Sequence, residues 1–113
     1  MKIEDIEAKV NYTMGRDKVM SNYILATLGI VLDRWITTLL WEYESNPIVI
    51  WLGLDLWLLL SVILIFLLGF VSFYMKRVGD TQEIKITNSI LLFIFGLHIM
   101  VFVGNISMAT VVY

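Results

Sequence analysis

Three long apolar stretches dominate the pattern of the chain, and short polar segments separate them. They cover residues 23–43, 48–75 and 87–112. A helix of about 20 mainly apolar residues crosses the hydrocarbon core of a bilayer, which is about 30 Å thick. Residues 48–75 would form about 42 Å of helix, so we expect this span to tilt or to extend beyond the hydrocarbon. The pattern predicts an all-α fold, an integral membrane bundle of three helices.

The N-terminal segment has a different pattern, with charges of both signs around a few apolar positions. The apolar positions fall on one face of a helix and are Ile3, Ile6 and Val10. We therefore expect residues 1–20 to include a short amphipathic helix that ends near Gly15, and residues 21–113 to form the transmembrane domain. Two roles for this short helix are open. It can lie on the inner membrane surface, or it can dock on a partner.

The basic residues predict the orientation of the spans. They cluster before the first span and between the second and the third, at Lys2, Lys9, Arg16, Lys18, Lys76, Arg77 and Lys85. The loop between the first two spans and the tail after the third contain no lysine or arginine. Since cytoplasmic loops carry the excess of basic residues, we expect the N-terminus inside and the C-terminus outside.

Composition agrees with this interpretation. Apolar residues make up 59% of the chain and charged residues 16%, whereas soluble domains are nearer half apolar and a quarter charged. The formal net charge of −2 is too small to indicate nucleic-acid binding. The absence of cysteine excludes disulfides, thiolate nucleophiles and cysteine metal sites. We expect a multi-pass protein of a cell membrane or a virion membrane that binds no nucleic acid.

The polar loop between the first two spans, WEYESNPIVIW at residues 41–51, predicts a capped turn on the outer side. Asn46 is a favoured N-cap residue, and Pro47 suits the first position of the following helix. Glu44 is placed where the helix dipole favours a negative charge. A structural turn and a contact with a ligand or partner are both compatible with this pattern.

The same loop carries part of a longer motif. DRWIT at residues 33–37, followed by ESNP at 44–47, resembles the D-x-x-x-T … E-x-N-P signature of a small prokaryotic membrane-protein family of unknown function. The resemblance covers roughly residues 25–75. It implies a small helical membrane domain and no particular activity. Its signature positions in this chain are Asp33, Thr37, Glu44, Asn46 and Pro47.

A stripe of small and polar residues follows one face of the first predicted helix. At intervals of three and four residues it contains Asn22, Ala26, Gly29, Asp33, Thr37, Leu40 and Glu44. Membrane helices pack closely and hydrogen-bond through such stripes, so we expect this face to meet another helix. Arg34 points about 100° away from Asp33 on a helix and need not pair with it.

Ionisable residues inside a membrane indicate a functional or structural site with a nearby partner. Helix lengths place Asp33 and His98 near the middle of the bilayer, and a second polar layer nearer the outer side. That second layer contains Arg34, Thr37, Asp55 and Asn105. We expect Arg34 to pair with Asp55, and Asp33 to pair with His98 or Thr37.

The sequence favours a non-enzymatic membrane protein over an enzyme. The first hypothesis is a structural or accessory subunit whose partners are the lipid bilayer and other membrane subunits or copies of itself. The alternative is a proton- or ion-conducting module that uses Asp33, Asp55 and His98. GLD at residues 53–55 departs from the G-x-G-D pattern of intramembrane aspartyl proteases. No metal-ligand spacing and no phosphate-binding loop occur, so we expect no cofactor and no metal.

Overall fold

The computed structural model describes residues 2–44 and 46–112, so Ser45 of the motif lies outside the described residues. The described part contains α1 (Ile3–Leu39), α2 (Pro47–Leu52), α3 (Leu54–Val78) and α4 (Thr81–Val112). A 3-10 turn, Trp41–Tyr43, joins α1 to α2. These residues contain no strand, and the predicted all-α fold is confirmed.

The first helix is longer than expected. Helix α1 continues through Gly15 and has 37 residues. The prediction of a helix ending near Gly15 is therefore wrong. A Cβ at this glycine would lie 3.5 Å from Cγ2 of Ile84, so the residue lies at a helix contact and does not end the helix. The hydroxyl of Tyr12 donates to the carbonyl of Gly79 in the loop between α3 and α4. Residues 3–11 extend past this contact and are exposed.

The second apolar stretch is not one continuous helix. Gly53 separates α2 from α3 and has φ 84° and ψ 157°. This backbone conformation is essentially restricted to glycine. The amide of Gly53 bonds to the carbonyl of Val49, and its carbonyl accepts from the amide of Trp57. The predicted continuous helix over residues 48–75 is thus interrupted at one residue, and its second part extends to Val78.

Helix α1 packs against both long helices and forms the centre of the bundle. Its contacts with α4 run in parallel register, since Asn22 bonds to Asn88 and Asp33 contacts His98 farther along both helices. Its contacts with α3 run antiparallel. Direct packing of α3 on α4 is much less extensive. The result is a narrow bundle of 62 × 27 × 18 Å.

Two side chains of α1 reach the backbone of α3. Arg16 Nε donates to the carbonyl of Lys76, 2.8 Å away, in the last turn of α3. The hydroxyl of Tyr23 donates to the carbonyl of Ile65 at 3.0 Å. Gly69 makes room for the tyrosine ring, since a Cβ there would lie 2.7 Å from the hydroxyl oxygen. The glycine therefore allows the close approach of α1 and α3.

The face of α1 that was predicted to meet another helix is buried. Its members Asn22, Ala26, Gly29, Asp33, Thr37 and Leu40 are all buried, and Glu44 is half-buried. The closest approach is at Gly29, where a Cβ would lie 3.2 Å from Cδ2 and 3.3 Å from the carbonyl oxygen of Phe95. The small stripe thus allows α1 and α4 to approach closely.

Two helices are long and apolar enough to cross a membrane, α3 and residues Thr81–Val111 of α4. In their most apolar windows only 11% and 6% of the residues are buried, so most of their surface faces away from the rest of the protein. Helix α1 contains no comparably apolar stretch within its described length. Its N-terminal half is rich in charges, and Asp33 and Arg34 interrupt its apolar half.

Candidate functional site

The carboxylate of Asp33 is the centre of a buried polar cluster. Its Oδ2 atom accepts from Nη1 of Arg34 at 2.7 Å and lies 2.5 Å from Nδ1 of His98. Its Oδ1 atom accepts from the hydroxyl of Thr37 at 3.4 Å. Asp33 is only 4% exposed, so these three contacts stand where water would otherwise solvate the charge.

Arg34 connects this carboxylate to α3. Its Nε donates to the hydroxyl of Ser61, which itself donates to the carbonyl of Trp57. The guanidinium carbon lies 4.3 Å from the centroid of the Trp57 ring, a distance typical of cation–π contacts. Adjacent residues of α1 therefore bind different neighbours, His98 of α4 through Asp33 and two residues of α3 through Arg34. We call Asp33, Arg34, Thr37, Ser61 and His98 the Asp33 cluster.

The expected ion pair between Arg34 and Asp55 is not formed. Asp55 is exposed in the first turn of α3, and its side chain makes no ion pair within the described part of the chain. Arg34 reaches Ser61 instead, six residues or about 9 Å farther along α3. The depth estimate assumed a continuous helix through Gly53. Arg34 also pairs with Asp33, which the helix geometry did not require, because its long side chain reaches back to the neighbouring carboxylate.

A cavity of about 330 Å³ extends from the Asp33 cluster towards the turn between α1 and α2. Most of the polar residues singled out from the sequence line it, namely Asp33, Arg34, Thr37, Glu44, Asn46, His98 and Asn105. A smaller cavity of about 100 Å³ also lies against Thr37, Glu44 and Asn105. Asp55 and Pro47 line neither cavity. The structure therefore brings the D-x-x-x-T and E-x-N parts of the motif to one space.

The turn at the mouth of this cavity is held by local hydrogen bonds. The side-chain oxygen of Asn46 accepts from the amide of Ile48 at 3.0 Å, which caps α2. The amide of Asn46 donates to Oε1 of Glu44 at 2.9 Å. Pro47 is the first residue of α2. The predicted N-cap is confirmed, and Glu44 both stabilises the turn and contributes a carboxylate to the cavity wall.

An apolar layer lies below the Asp33 cluster. On α1 it contains Ala26 and Gly29, and on α4 it contains Leu91 and Phe95. Ala26 and Leu91 are 0% and 2% exposed, and Gly29 lies against Phe95. This layer separates the Asp33 cluster from the opposite end of the helix pair.

A second polar contact between α1 and α4 lies beyond the apolar layer. Nδ2 of Asn22 donates to Oδ1 of Asn88 at 2.9 Å, and Nδ2 of Asn88 donates to the carbonyl of Gly15 at 2.8 Å. Sequence reasoning missed Asn88, because it lies near the start of an apolar run. A signal was present in the spacing. Asn22 precedes Asp33 by nearly the same number of residues as Asn88 precedes His98.

No group of three or more histidine, aspartate or glutamate side chains within residues 2–44 and 46–112 is arranged to hold a metal ion. Among the described residues, the cavity of about 330 Å³ next to the Asp33 cluster is lined by two acidic residues, Asp33 and Glu44, and one basic residue, Arg34. No family model, curated protein or solved structure matches this chain. The resemblance to the small prokaryotic membrane-protein family therefore stays a prediction.

Proposed function

We propose that this protein is a multi-pass membrane protein that acts as a non-catalytic structural or accessory subunit of a larger membrane assembly or homo-oligomer. In this proposal α1, α2 with α3, and α4 are the three spans, with the N-terminus inside and the C-terminus outside. The length and composition of α3 and α4 support a membrane location. Helix α1 enters as a span because its charged pair faces the other helices.

The observation that carries the structural role is the saturation of the Asp33 cluster. In a membrane, a charged side chain must pair with other groups or reach water. Asp33 has three partners, and Arg34 has a carboxylate, a hydroxyl and an aromatic ring. The cluster joins α1 to both long helices, and its polar groups bond mainly to one another. Such a cluster is suited to holding three helices in register.

A partly exposed face of α4, with Gly96 half-buried and Met100 and Gly104 exposed, supports assembly with further helices. The face follows intervals of three and four residues through Gly96, Met100 and Gly104. A Cβ at either glycine would meet nothing within 4 Å, so these glycines make no close contact within the bundle. Met100 between them is 74% exposed. Small residues permit close approach of membrane helices, and this face is open to a neighbouring subunit.

Proton or ion conduction is the second candidate, and the cavity next to Asp33 and His98 is the observation that favours it. Two features count against it. Asp55, the third residue of the conducting hypothesis, lies outside the cavity and is exposed. The apolar layer of Ala26, Gly29, Leu91 and Phe95 stands between this cavity and the inner end. A proton path along the α1–α4 interface would have to cross these apolar residues.

The proposed role is tested by extraction and sizing of the intact protein. We expect the protein to stay in the membrane fraction after alkaline carbonate washing. We also expect it to leave a mild detergent column as a species larger than a single chain, in which mass spectrometry identifies the other components. Release by carbonate would reject the membrane location. A single chain in every mild detergent and in lipid nanodiscs would reject the subunit role.

A further inference from the structure

A further cavity lies at the other end of the bundle from the Asp33 cluster. It has a volume of about 540 Å³ and lies between the first half of α1 and the start of α4. Its lining includes two lysines, Lys18 and Lys85, and the polar residues Asn88 and Ser89. Nothing in the roles considered so far uses this space.

The charges around this cavity have a single sign. Lys18 and Lys85 come from different helices and line the same space, and no aspartate or glutamate is among the described residues that line it. Neither lysine forms an ion pair within the described part of the chain. Two ammonium groups at one cavity repel each other, and an anion between them removes this repulsion.

Arg16 is close in sequence to Lys18 but has a different role. Its Nε atom donates to the carbonyl of Lys76 at the end of α3. A basic side chain at the C-terminus of a helix satisfies a free carbonyl and interacts favourably with the helix dipole. The two lysines have no such contact with backbone or side chain among the described residues, so their ammonium groups remain available to a ligand.

The cavity is lined by polar and apolar side chains together, and the exposed surface of α4 beyond it is apolar. The loop end carries Tyr12 and Thr81, whereas Leu92 lies about three turns farther along α4 in the direction of its apolar centre. Beyond Leu92 the exposed surface of α4 continues with Phe93, Leu97 and Met100. A cavity lined by two lysines and adjoining an apolar helix surface matches a molecule with an anionic head and a hydrocarbon tail.

We propose that this cavity binds the phosphate-bearing headgroup of an anionic phospholipid of the inner leaflet, with Lys18 and Lys85 contacting the phosphate. The proposal rests on the membrane location and orientation proposed above, which place this end of the bundle at the cytoplasmic interface. Basic pockets between membrane helices on the cytoplasmic side are known sites for anionic headgroups. Asn88 and Ser89 line the same wall, but their side chains already bond within the bundle, Asn88 to Asn22 and Gly15 and the Ser89 hydroxyl to the carbonyl of Lys85, so the two lysines carry the recognition of the phosphate.

Native mass spectrometry of the detergent-solubilised protein tests this assignment. The protein is mixed with equal amounts of dioleoyl phosphatidylglycerol and dioleoyl phosphatidylcholine, and the lipid that remains bound is counted. We expect the unmodified protein to retain the phosphatidylglycerol preferentially. The double substitution K18Q/K85Q should lower that preference by about tenfold or more, since each basic residue contributes to anionic-lipid binding.

Three further variants separate a site from general surface charge. K2Q/K9Q removes the same number of charges from the exposed end of α1 and should leave the preference unchanged. K18R/K85R keeps both charges and should also keep it. S89W fills the cavity without altering charge and should abolish the preference for phosphatidylglycerol. Equal losses in K2Q/K9Q and K18Q/K85Q, or full binding by S89W, overturn the proposal.

The last arm distinguishes a lipid from a free anion. Inorganic phosphate at millimolar concentration should not displace phosphatidylglycerol, and displacement would assign the cavity to a soluble phosphate compound. Helix content by circular dichroism verifies that each variant is folded before its lipids are counted. Failure of the membrane location would appear separately, as release of the unmodified protein by carbonate, whatever the lipid measurement gives.

Discussion

Nδ1 of His98 lies 2.5 Å from Oδ2 of Asp33, across the interface between two parallel helices. Asn88 and Asn22 form the corresponding contact about three turns earlier on the same helices. The two polar contacts fix the register of α1 against α4, because sliding one helix by a turn would separate both pairs. Between them, Gly29 lies against Phe95 and brings the helix axes together. The interface thus combines close packing with two specific polar contacts.

The first prediction concerns the charge of Asp33. D33N leaves the half-buried guanidinium of Arg34 without its carboxylate, and breaking a fully buried ion pair costs about 3–5 kcal/mol, which is an upper limit here. We expect a large loss of stability in denaturant titrations of the detergent-solubilised protein. D55N makes the same chemical change at an exposed position and should have little effect. Equal stability of D33N and the unmodified protein would contradict the role of the cluster.

A double-mutant cycle separates the pair from its parts. D33N/R34Q removes both charges, so no unpaired buried charge remains. We expect the double variant to be more stable than D33N alone, with a coupling free energy between the two positions in the range of about 0.5–3 kcal/mol found for interacting residues. Additive effects of the two substitutions would show that Asp33 and Arg34 do not depend on each other.

Helical periodicity in the sequence predicts much of this interface. The buried face of α1 follows from intervals of three and four residues, and the cap at Asn46 follows from its place before Pro47. The break at Gly53 was not readable, because glycines are common inside membrane helices and nothing in a single sequence marks one with positive φ. The wrong partner for Arg34 followed from that missed break.

The second prediction concerns transport. Vesicles that contain the protein and a pH-sensitive dye should show no proton flux above that of empty vesicles under an imposed pH gradient. The physical reason is the apolar layer below the Asp33 cluster, in which Ala26 and Leu91 exclude water. Flux that disappears in D33N and persists in D55N would contradict this prediction and favour the conducting alternative.

The third prediction concerns the backbone at Gly53. G53A should destabilise the protein by about 1–3 kcal/mol, the usual strain of a non-glycine residue in such a conformation. Steric overlap is not the cause, since a Cβ at this position would meet nothing within 4 Å. The measurement is the denaturant midpoint in detergent.

Gly104 provides the control for this substitution. It also lies in open space, but it is inside α4 and has no positive φ. As a single chain, G104A should be neutral or more stable by up to about 1 kcal/mol, because alanine is a better helix former than glycine. If G53A and G104A have the same stability, the positive φ at Gly53 imposes no measurable strain on an alanine at that position.

The last prediction concerns the open glycine face of α4. G96L and G104L add bulk where the bundle itself has free space, so each chain should keep its fold and stability. If this face meets another subunit, the same substitutions should separate the helices of the assembly, and the protein should shift to smaller species on a detergent sizing column. G29L is the matched contrast, because Gly29 lies against Phe95 within the bundle. The G29L variant should lose stability as a single chain. If neither G96L nor G104L changes the size of the assembly, this face is not the subunit interface.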